Sequence, residues 1–571
     1  MKDFFWKVGT ILTVVAVVCV IRFAGILRPI VAPRMSRIWY CATVATIFSL
    51  AAWLRFHLPQ DPIADPDTWG YLSPALRKLT GAEFGHTHGR NFVYPGFLFL
   101  LLRLFGDLRA ITVVQHLLGL MAGGILLVTW RRVRVFAPEL GIPRNVHAVL
   151  GLVAMSVFLF AAEPIRIEME IRPEGVCTFL LGINLYLVID FAACCFIENR
   201  HSRAVVSGAG GIFTAILLAF ARPSFSFASA VTLLPVTAFF LRRGSLWEKV
   251  ALAGSATVAA VLFLLPEHFL SQHDEVTKTF LPTTLFVVHA DLIRDQIADD
   301  LAHSRELPYS RARLQRVHLL LSEAINKSHA ANAKTGRYTR LGFDPDDLRS
   351  GPSSVSEQLR RDFGNDLSAL CAFYYFYYWR VWQQRPVSML NKIASQMAVF
   401  YDFKCPAYTA WRWLPLVRQY DRGVTALGRP EYRELWTSYR PSVDFMDRTR
   451  LLAQNAPMIQ QARFIGLPLI VLARTYLPIL WIALGTSVFV LGRRPYRRSL
   501  GWFAALVLFA YSLNFAACLE IAIVQSMEVG RFTTVQLFPT ILSQFLGIWF
   551  LCEFAAALFK RTNPISAGSA A

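Results

Sequence analysis

The sequence lacks the motifs by which many enzymes hold a nucleotide or a metal ion. It contains no CxxC pair, no HExxH, no Walker loop and no GxGxxG placed between a strand and a helix. ATP-driven transport therefore has no support within this chain. Charged residues are also scarce, at 17% of 571 residues, whereas apolar residues reach 55% and the mean hydropathy is +0.42. These values exclude an ordinary soluble domain and indicate an all-α polytopic membrane protein.

Cysteine offers no sign of catalysis. Most of the nine cysteines fall within apolar runs, where they behave as small apolar side chains. Cys371 and Cys405 lie instead in the long stretch between the apolar runs. A disulfide between them stays open as an alternative, because sequence spacing does not show the geometry that the bond needs.

Apolar runs long enough to cross a bilayer recur along most of the chain. Runs of about 18 to 24 apolar residues predict a bundle of about 11 transmembrane helices. They cover residues 8–27, 38–56, 110–130, 146–163, 174–197, 204–220, 223–241, 250–270, 468–491, 500–519 and 535–558. We therefore divide the chain into an N-terminal transmembrane module (1–270), a central segment (271–467), and C-terminal transmembrane helices with a short cytoplasmic tail (468–571).

The net charge of +20 lies mainly in short connectors between the apolar runs. Under strict alternation these basic connectors share one side, which the positive-inside rule makes cytoplasmic. The other connectors and the central segment then face outward from the plasma (inner) membrane. The orientation of the first run stays open, because Arg22 interrupts it. Nucleic acid is not an expected partner, since the basic residues form no face on a soluble fold.

The central segment has a mixed, mainly helical pattern. Apolar residues recur every three or four positions in residues 291–307 and 311–329, which predicts soluble amphipathic helices. The aromatic run FYYFYYWRVW at 373–382 favours the headgroup level, so we expect this part to lie against the outer leaflet. Residues 387–403 predict an interfacial or re-entrant helix.

Acidic and aromatic residues cluster just beyond the run 38–56, at Asp61, Asp65, Asp67, Trp69 and Tyr71. An ionised Asp at the lip of a membrane span can deprotonate or orient a nucleophile. The alternative is a helix-capping turn, in which an Asp side chain binds free backbone N–H groups. The apolar run at 95–106 that follows is too short to span, and predicts a helix on the outer membrane surface.

Three further outward connectors carry charge. The second holds three acids and two bases that predict either another acidic site or a local salt-bridge network. The third is a tight turn with an arginine that could hold a phosphate or anchor a lipid. The fourth holds an acid and a base at helical spacing. These residues are Glu168, Glu170, Glu174, Arg166 and Arg172 in the second connector, Arg222 in the third, and Glu528 and Arg531 in the fourth.

The order of these features resembles the GT-C superfamily of membrane glycosyltransferases, in particular the aminoarabinose transferase and protein O-mannosyltransferase type. In that family an acidic motif and a Tyr in the first outward loop precede a YPP-like stretch, a surface helix and an FG. The similar stretches here are Asp65-Pro66-Asp67-Thr68-Trp69-Gly70-Tyr71, Tyr94-Pro95-Gly96, Phe105-Gly106-Asp107, Arg172-Pro173-Glu174 and Glu528-Val529-Gly530-Arg531-Phe532. The chain departs from the pattern at two positions. The family's usual Asp-Glu pair is Asp67-Thr68 here, and Phe532 replaces the usual Tyr. The resemblance covers roughly residues 38–270 and 468–558.

The resemblance implies transfer of a sugar from a polyprenyl-phosphate donor to an acceptor hydroxyl of a lipid, glycan or protein on the extracytoplasmic face. Asp67 is the expected base and Asp65 its alternate, with Glu170 and Glu174 orienting the acceptor or the sugar. The expected substrate ligands are Tyr71, His86, His88, Arg90, Tyr94, Arg172, Arg222, Glu528 and Arg531. No cofactor is required by the pattern. A divalent metal ion stays open, since the carboxylates show no ligand spacing that demands one.

Other functions stay open beside this one. An O-antigen-ligase-like or polymerase-like enzyme would also rely on cations and a large outward segment. A transporter of lipids or small molecules would have a similar number of spans, but would place ionisable or broken segments near the bilayer midplane. A non-catalytic membrane scaffold is a further alternative.

Overall fold

The fold is that of a computed structural model, which describes residues 34–85, 90–137, 143–271, 275–303, 305–336, 338–409, 413–528 and 536–562. The predicted span 8–27 lies outside the described residues. The N-terminal part contains helices α1 Arg34–Phe56, α2 Thr68–Leu79, α3 Val93–Phe105, α4 Arg109–Arg132, α5 Arg144–Phe160, α6 Ala162–Met169, α7 Glu174–Phe196, α8 His201–Ala221, α9 Ser226–Thr232, α10 Leu234–Leu241 and α11 Leu246–Ser271. Short 3-10 turns at Val133–Phe136 and Pro223–Phe225 extend α4 and precede α9.

The central segment is helical, as its periodicity predicts. Its helices are α12 Glu275–Val288, α13 Ala290–Ala302, α14 Arg311–Ala333, α15 Pro345–Arg349, α16 Val355–Asp362, α17 Leu367–Gln384, α18 Pro386–Phe400, α19 Leu416–Leu427, α20 Arg433–Thr437 and α21 Arg440–Asn455. A 3-10 turn at Pro430–Tyr432 precedes α20. Strands β1 Trp413–Pro415 and β2 Met458–Gln460 pair antiparallel, with Leu414 opposite Ile459. The chain then returns to the bundle through α22 Arg463–Gly492, α23 Arg494–Val524 and α24 Leu537–Thr562.

Among the described residues, nine helices are long and apolar enough to cross a membrane, and a bent pair makes a tenth if it counts as one span. The nine coincide with nine of the predicted apolar runs, and the bent pair with the run 146–163. The protein is therefore an all-α, multi-pass membrane protein. The short apolar helix α3, at 13 residues, falls below the length of a span.

The bent pair α5 and α6 turns by 47° at Ala161. Pro164 has no N–H with which to bond the carbonyl of Phe160, four residues earlier, and the loss of this bond favours a bend at this point. Gln461 replaces the missing bonds: its amide donates to the Phe160 carbonyl at 3.0 Å, and its carbonyl accepts from the Ala162 N–H at 2.9 Å. The break carries the following connector across one end of the bundle. We call this the loop end, where α1, α6 and α8 end and α4 and α7 begin.

Two details of the central segment bear on the aromatic run and on the two cysteines. Phe373, Tyr374 and Tyr377 in the aromatic run are buried, and the ring of Tyr374 packs 4.5 Å from that of Phe286 on α12. Half of this run therefore packs into the interior of the segment, whereas Tyr375 and Trp379 are exposed. Its position against the outer leaflet stays a prediction. Cys371 and Cys405 are both free thiols, so the disulfide between them is absent.

Close packing of α4 against the second connector requires a glycine. A methyl group at Gly119 would lie 1.9 Å from Oε1 of the buried Glu168. By contrast, a methyl group at Gly124, on the same helix, would meet only the ring edge of Phe48 at an ordinary 3.5 Å. The two glycines therefore provide a matched pair for testing this packing.

We expect Gly119→Ala to destabilise the protein by about 1 to 3 kcal/mol, because Glu168 is held by buried partners and cannot move aside. Gly124→Ala should be neutral or slightly stabilising, since it removes a helix-interior glycine. Thermal unfolding in detergent, followed by circular dichroism, measures both variants. Equal midpoints for the two variants would contradict the described contact.

Candidate active site

The first and second connectors are joined by a short parallel β-bridge between Ile63 and Glu170. The Ile63 N–H donates to the Met169 carbonyl at 2.7 Å, and the Ile171 N–H donates to the Ile63 carbonyl at 3.1 Å. Gln115 of α4 supports the bridge by donating to the carbonyls of Glu168, at 2.9 Å, and Glu170, at 2.8 Å. The backbone therefore brings the two acidic connectors together.

Arg172 lies at the centre of the charges that the bridge assembles. Its guanidinium forms an ion pair with Asp65 and lies 3.4 Å from Asp67, 3.8 Å from Glu170 and 3.7 Å from Glu174. Its side chain is only 10% exposed. Four carboxylates this close together repel one another, so a buried cation among them is needed to keep them ionised. We call these five residues the Arg172 cluster.

Three more arginines border the Arg172 cluster. Arg90 pairs with Asp67 at 2.9 Å, Arg222 pairs with Glu174 at 2.5 Å, and Arg166 pairs with Glu170. Arg222 follows the last residue of α8, and its Nε donates to Ser224 at 2.7 Å. The arrangement therefore sets basic and acidic groups side by side at the loop end, with Arg90 and Asp67 the more exposed pair.

The two aspartates of the first connector have different environments. Asp65 forms the predicted turn, since its Oδ1 accepts from the Asp67 N–H at 2.9 Å and from the Thr68 hydroxyl at 3.3 Å. Asp67 precedes α2 but makes no capping bond with its side chain. Its side chain is 29% exposed, against 16% for Asp65. Asp67 is therefore the more accessible carboxylate for an incoming hydroxyl group.

Tyr71 and Tyr94 form an aromatic wall beside Asp67. The guanidinium of Arg90 lies over the Tyr71 ring at 4.6 Å, and the two tyrosine rings meet edge to face at 5.3 Å. Burial raises the pKa of Tyr71, an effect that Arg90 partly offsets. Burial also raises the pKa of Tyr94 well above its usual value, and its hydroxyl lies 3.2 Å from Gln115 Oε1. Both phenols therefore stay neutral and can donate hydrogen bonds.

Asp61, at the start of the acidic connector, is held by the central segment. Its carboxylate accepts from Arg448 of α21 at 2.5 Å, and its carbonyl accepts from the Tyr420 hydroxyl at 2.6 Å. Burial raises the pKa of Asp61, and Arg448 opposes that shift. Trp69 adds a second attachment, because its indole N–H donates to the Ala426 carbonyl at 2.9 Å. Helices α19 and α21 therefore cover this side of the acidic connector.

Glu168 belongs to the framework of the site rather than to its open face. Arg55 of α1 binds both carboxylate oxygens, at 2.8 and 2.9 Å, and His116 Nδ1 lies 2.8 Å away. All three side chains are almost wholly buried. The sequence signal for this pairing was Arg55 itself, a charge within an apolar run that requires a partner.

Glu528, the predicted ligand of the fourth connector that the structure describes, is not part of the Arg172 cluster. Glu528 accepts from the backbone N–H groups of Arg340, at 2.9 Å, and Leu341, at 2.8 Å, and so ties α23 to the central segment. The predicted pairing with Arg531 lies outside the described residues. His86 and His88 also lie outside them.

Comparisons with known proteins add no relative: no family model, no curated protein and no solved structure matches the chain. Within the described ranges, no group of three or more His, Cys, Asp or Glu side chains is placed to hold a metal ion. The carboxylates of the Arg172 cluster are paired with arginines instead. Such a site can accept a proton on a carboxylate and hold a phosphate on a guanidinium.

We expect Arg448→Gln to loosen the acidic connector, because it removes the charged partner of the buried Asp61 carboxylate. Backbone amides of residues 58–67 should then exchange with deuterium faster, as measured by mass spectrometry. Arg450→Gln is the control, since Arg450 lies on the same helix and pairs with the exposed Asp447. Unchanged exchange in Arg448→Gln would show that α21 does not hold the connector.

Proposed function

We propose that the protein is an integral-membrane glycosyltransferase that moves a sugar from a polyprenyl-phosphate donor to an acceptor hydroxyl on the extracytoplasmic face. The observation that carries this proposal is the Arg172 cluster with Arg90 and Arg222 at its border. Glycosyl transfer from a lipid phosphate needs a base for the acceptor and cations for the departing phosphate. A single site at the loop end offers both.

The reaction can be assigned to the residues of the site. The acceptor oxygen attacks the anomeric carbon while Asp67 takes the hydroxyl proton. The bond between the anomeric carbon and the phosphate oxygen breaks, and the lipid phosphate leaves with the electron pair. Arg90 and Arg222 stabilise the growing phosphate charge, which electrostatic catalysis of this kind requires.

The remaining charged residues orient these groups. Arg172 holds Asp65 and Asp67 ionised, and Glu174 and Glu170 hydrogen-bond the sugar or the acceptor. Asp65 is the alternate base. One of its carboxylate oxygens is already engaged in the turn before α2.

A lipid donor also fits the helix beside the site. Helix α3 contributes Tyr94 to the aromatic wall, and Leu100, Leu104 and Phe105 on its exposed face are each more than half exposed. Apolar side chains exposed on a short helix are typical of a membrane interface. A polyprenyl chain lying along this face would have its phosphate close to the Arg172 cluster.

We expect Asp67→Asn to abolish transfer, because the amide keeps the size of the side chain and cannot take the proton. In membranes supplied with lipid-linked sugar, the turnover rate should fall by about 100-fold or more. Asp447→Asn, on the exposed face of α21, is the control. Asp65→Asn tests the alternate base. Near-normal activity in both Asp67→Asn and Asp65→Asn would disprove the assignment.

The side of the membrane is tested separately. In a cysteine-free background, Ala82→Cys after α2 should react with a membrane-impermeant thiol reagent in intact cells. Ser202→Cys, at the start of α8 and the opposite end of the bundle, should react only after lysis. Both positions are exposed in the fold. Labelling of Ala82→Cys only after lysis would rule out an outward-facing site.

A further inference from the structure

A polar cavity lies beside the Arg172 cluster, between the central segment and Arg90. Its volume is about 650 Å³, within the range of about 300 to 1,000 Å³ usual for small-ligand pockets. Helix α12 contributes Thr279 and Phe280, and α17 contributes Tyr374. The rest of the wall comes from the stretch that runs from the end of α15 to the end of α16.

Arginine dominates the lining of this cavity. Arg90, Arg349, Arg360 and Arg361 face it, against one acidic residue, Glu357. Four positive charges against one negative leave a lining with three excess positive charges. Several like charges around one cavity favour an anionic ligand, whose binding relieves their repulsion.

Few of these arginines are neutralised by strong pairs. Arg361 lies 3.4 Å from Glu357, and its side chain is 62% exposed. Arg349 lies 3.4 Å from the exposed Asp346. Arg360 is exposed and makes no ion pair with any residue that the structure describes. Such exposed pairs contribute little stability to the fold. Binding of an anionic ligand therefore accounts for this group of arginines better than stabilisation of the fold does.

The loop between α15 and α16 adds serine hydroxyl groups to the lining. Ser350, Gly351, Pro352 and Ser354 line the cavity. Gly351 has a positive φ of 106°, a conformation that side chains rarely adopt. The turn of this loop therefore favours glycine, and no side chain of residue 351 occupies the cavity.

Arg90 connects the cavity to the candidate active site. It lines the cavity and also pairs with Asp67 at 2.9 Å. A ligand phosphate in the cavity that bonds Arg90 would therefore lie one side chain away from the proposed base.

We propose that this cavity binds the phosphate or diphosphate group of a substrate. Arginine recognises phosphate through paired, charge-assisted hydrogen bonds, which fits the residues that line the wall. The role as a substrate site rests on the proposed function, whereas binding of the anion does not. Phosphate carried by a water-soluble molecule and phosphate carried by a lipid share this chemistry.

The test is binding of inorganic diphosphate to the full-length protein in nanodiscs of neutral lipid, measured by isothermal titration calorimetry. We expect wild-type protein to bind, and the double variant Arg360→Gln/Arg361→Gln to bind at least about tenfold more weakly, because charged hydrogen bonds are lost. The matched control is Arg418→Gln/Arg422→Gln, which removes two exposed arginines of α19 outside the cavity lining. The control should bind like wild type.

A second arm uses nanodiscs that contain a polyprenyl phosphate, with diphosphate as competitor. Loss of diphosphate binding in the presence of the lipid assigns the cavity to a lipid phosphate. Undiminished binding assigns it to a water-soluble substrate. Absence of diphosphate binding to wild type in neutral nanodiscs, or equal weakening in the two double variants, would overturn the proposal.

Asp67→Asn separates this proposal from the proposed function. Its diphosphate affinity should equal or exceed that of wild type, because the variant removes a negative charge beside Arg90. Retained binding together with full transfer activity would contradict the catalytic role of Asp67 and leave the anion site supported. Lost binding in Asp67→Asn would contradict the anion site.

Discussion

The arrangement at the loop end depends on Arg172 and the four carboxylates around it. Asp65 and Asp67 come from one connector, and Glu170 and Glu174 from another. Brought together without a cation, they would take up protons or push the two connectors apart. With Arg172 buried among them, the same charges attract the connectors to each other. One side chain therefore couples the position of the acids to their ionisation.

Several contacts within the bundle position the connectors for this interaction. Pro164 breaks the α5–α6 span, and Gln461 bonds the backbone groups that the break exposes. The connector after α6 then lies across the loop end, where Gln115 and the bridge to Ile63 fix its backbone. Glu168 is buried and paired with side chains of α1 and α4, and these contacts hold the same connector to the interior of the bundle. A flexible connector would leave the cluster poorly defined, whereas these contacts make it part of the packed bundle.

The sequence predicts much of this framework, because apolar length and charge position are local properties. The ten apolar runs within the described residues, the bent pair included, follow from these properties. So do the helices predicted in the central segment at 291–307, 311–329 and 387–403. Asp61 and Arg448 are 387 residues apart, so no local pattern could pair them. The same holds for Arg55 with Glu168. The local pairing expected for Glu528 and Arg531 could not reveal that Glu528 binds the backbone at Arg340. The arginines of the cavity lie on short, irregular elements, where periodicity carries no signal.

The central claim is that a lipid-linked sugar is consumed at the Arg172 cluster. The most direct measurement is mass spectrometry of lipid-linked sugars and envelope glycans in cells that lack this protein, compared with cells that contain it. The account predicts that one polyprenyl-phosphate sugar accumulates and that one glycan decoration disappears, with both restored by the wild-type protein. Identical profiles of lipid-linked sugars and glycans in the two kinds of cells would contradict it.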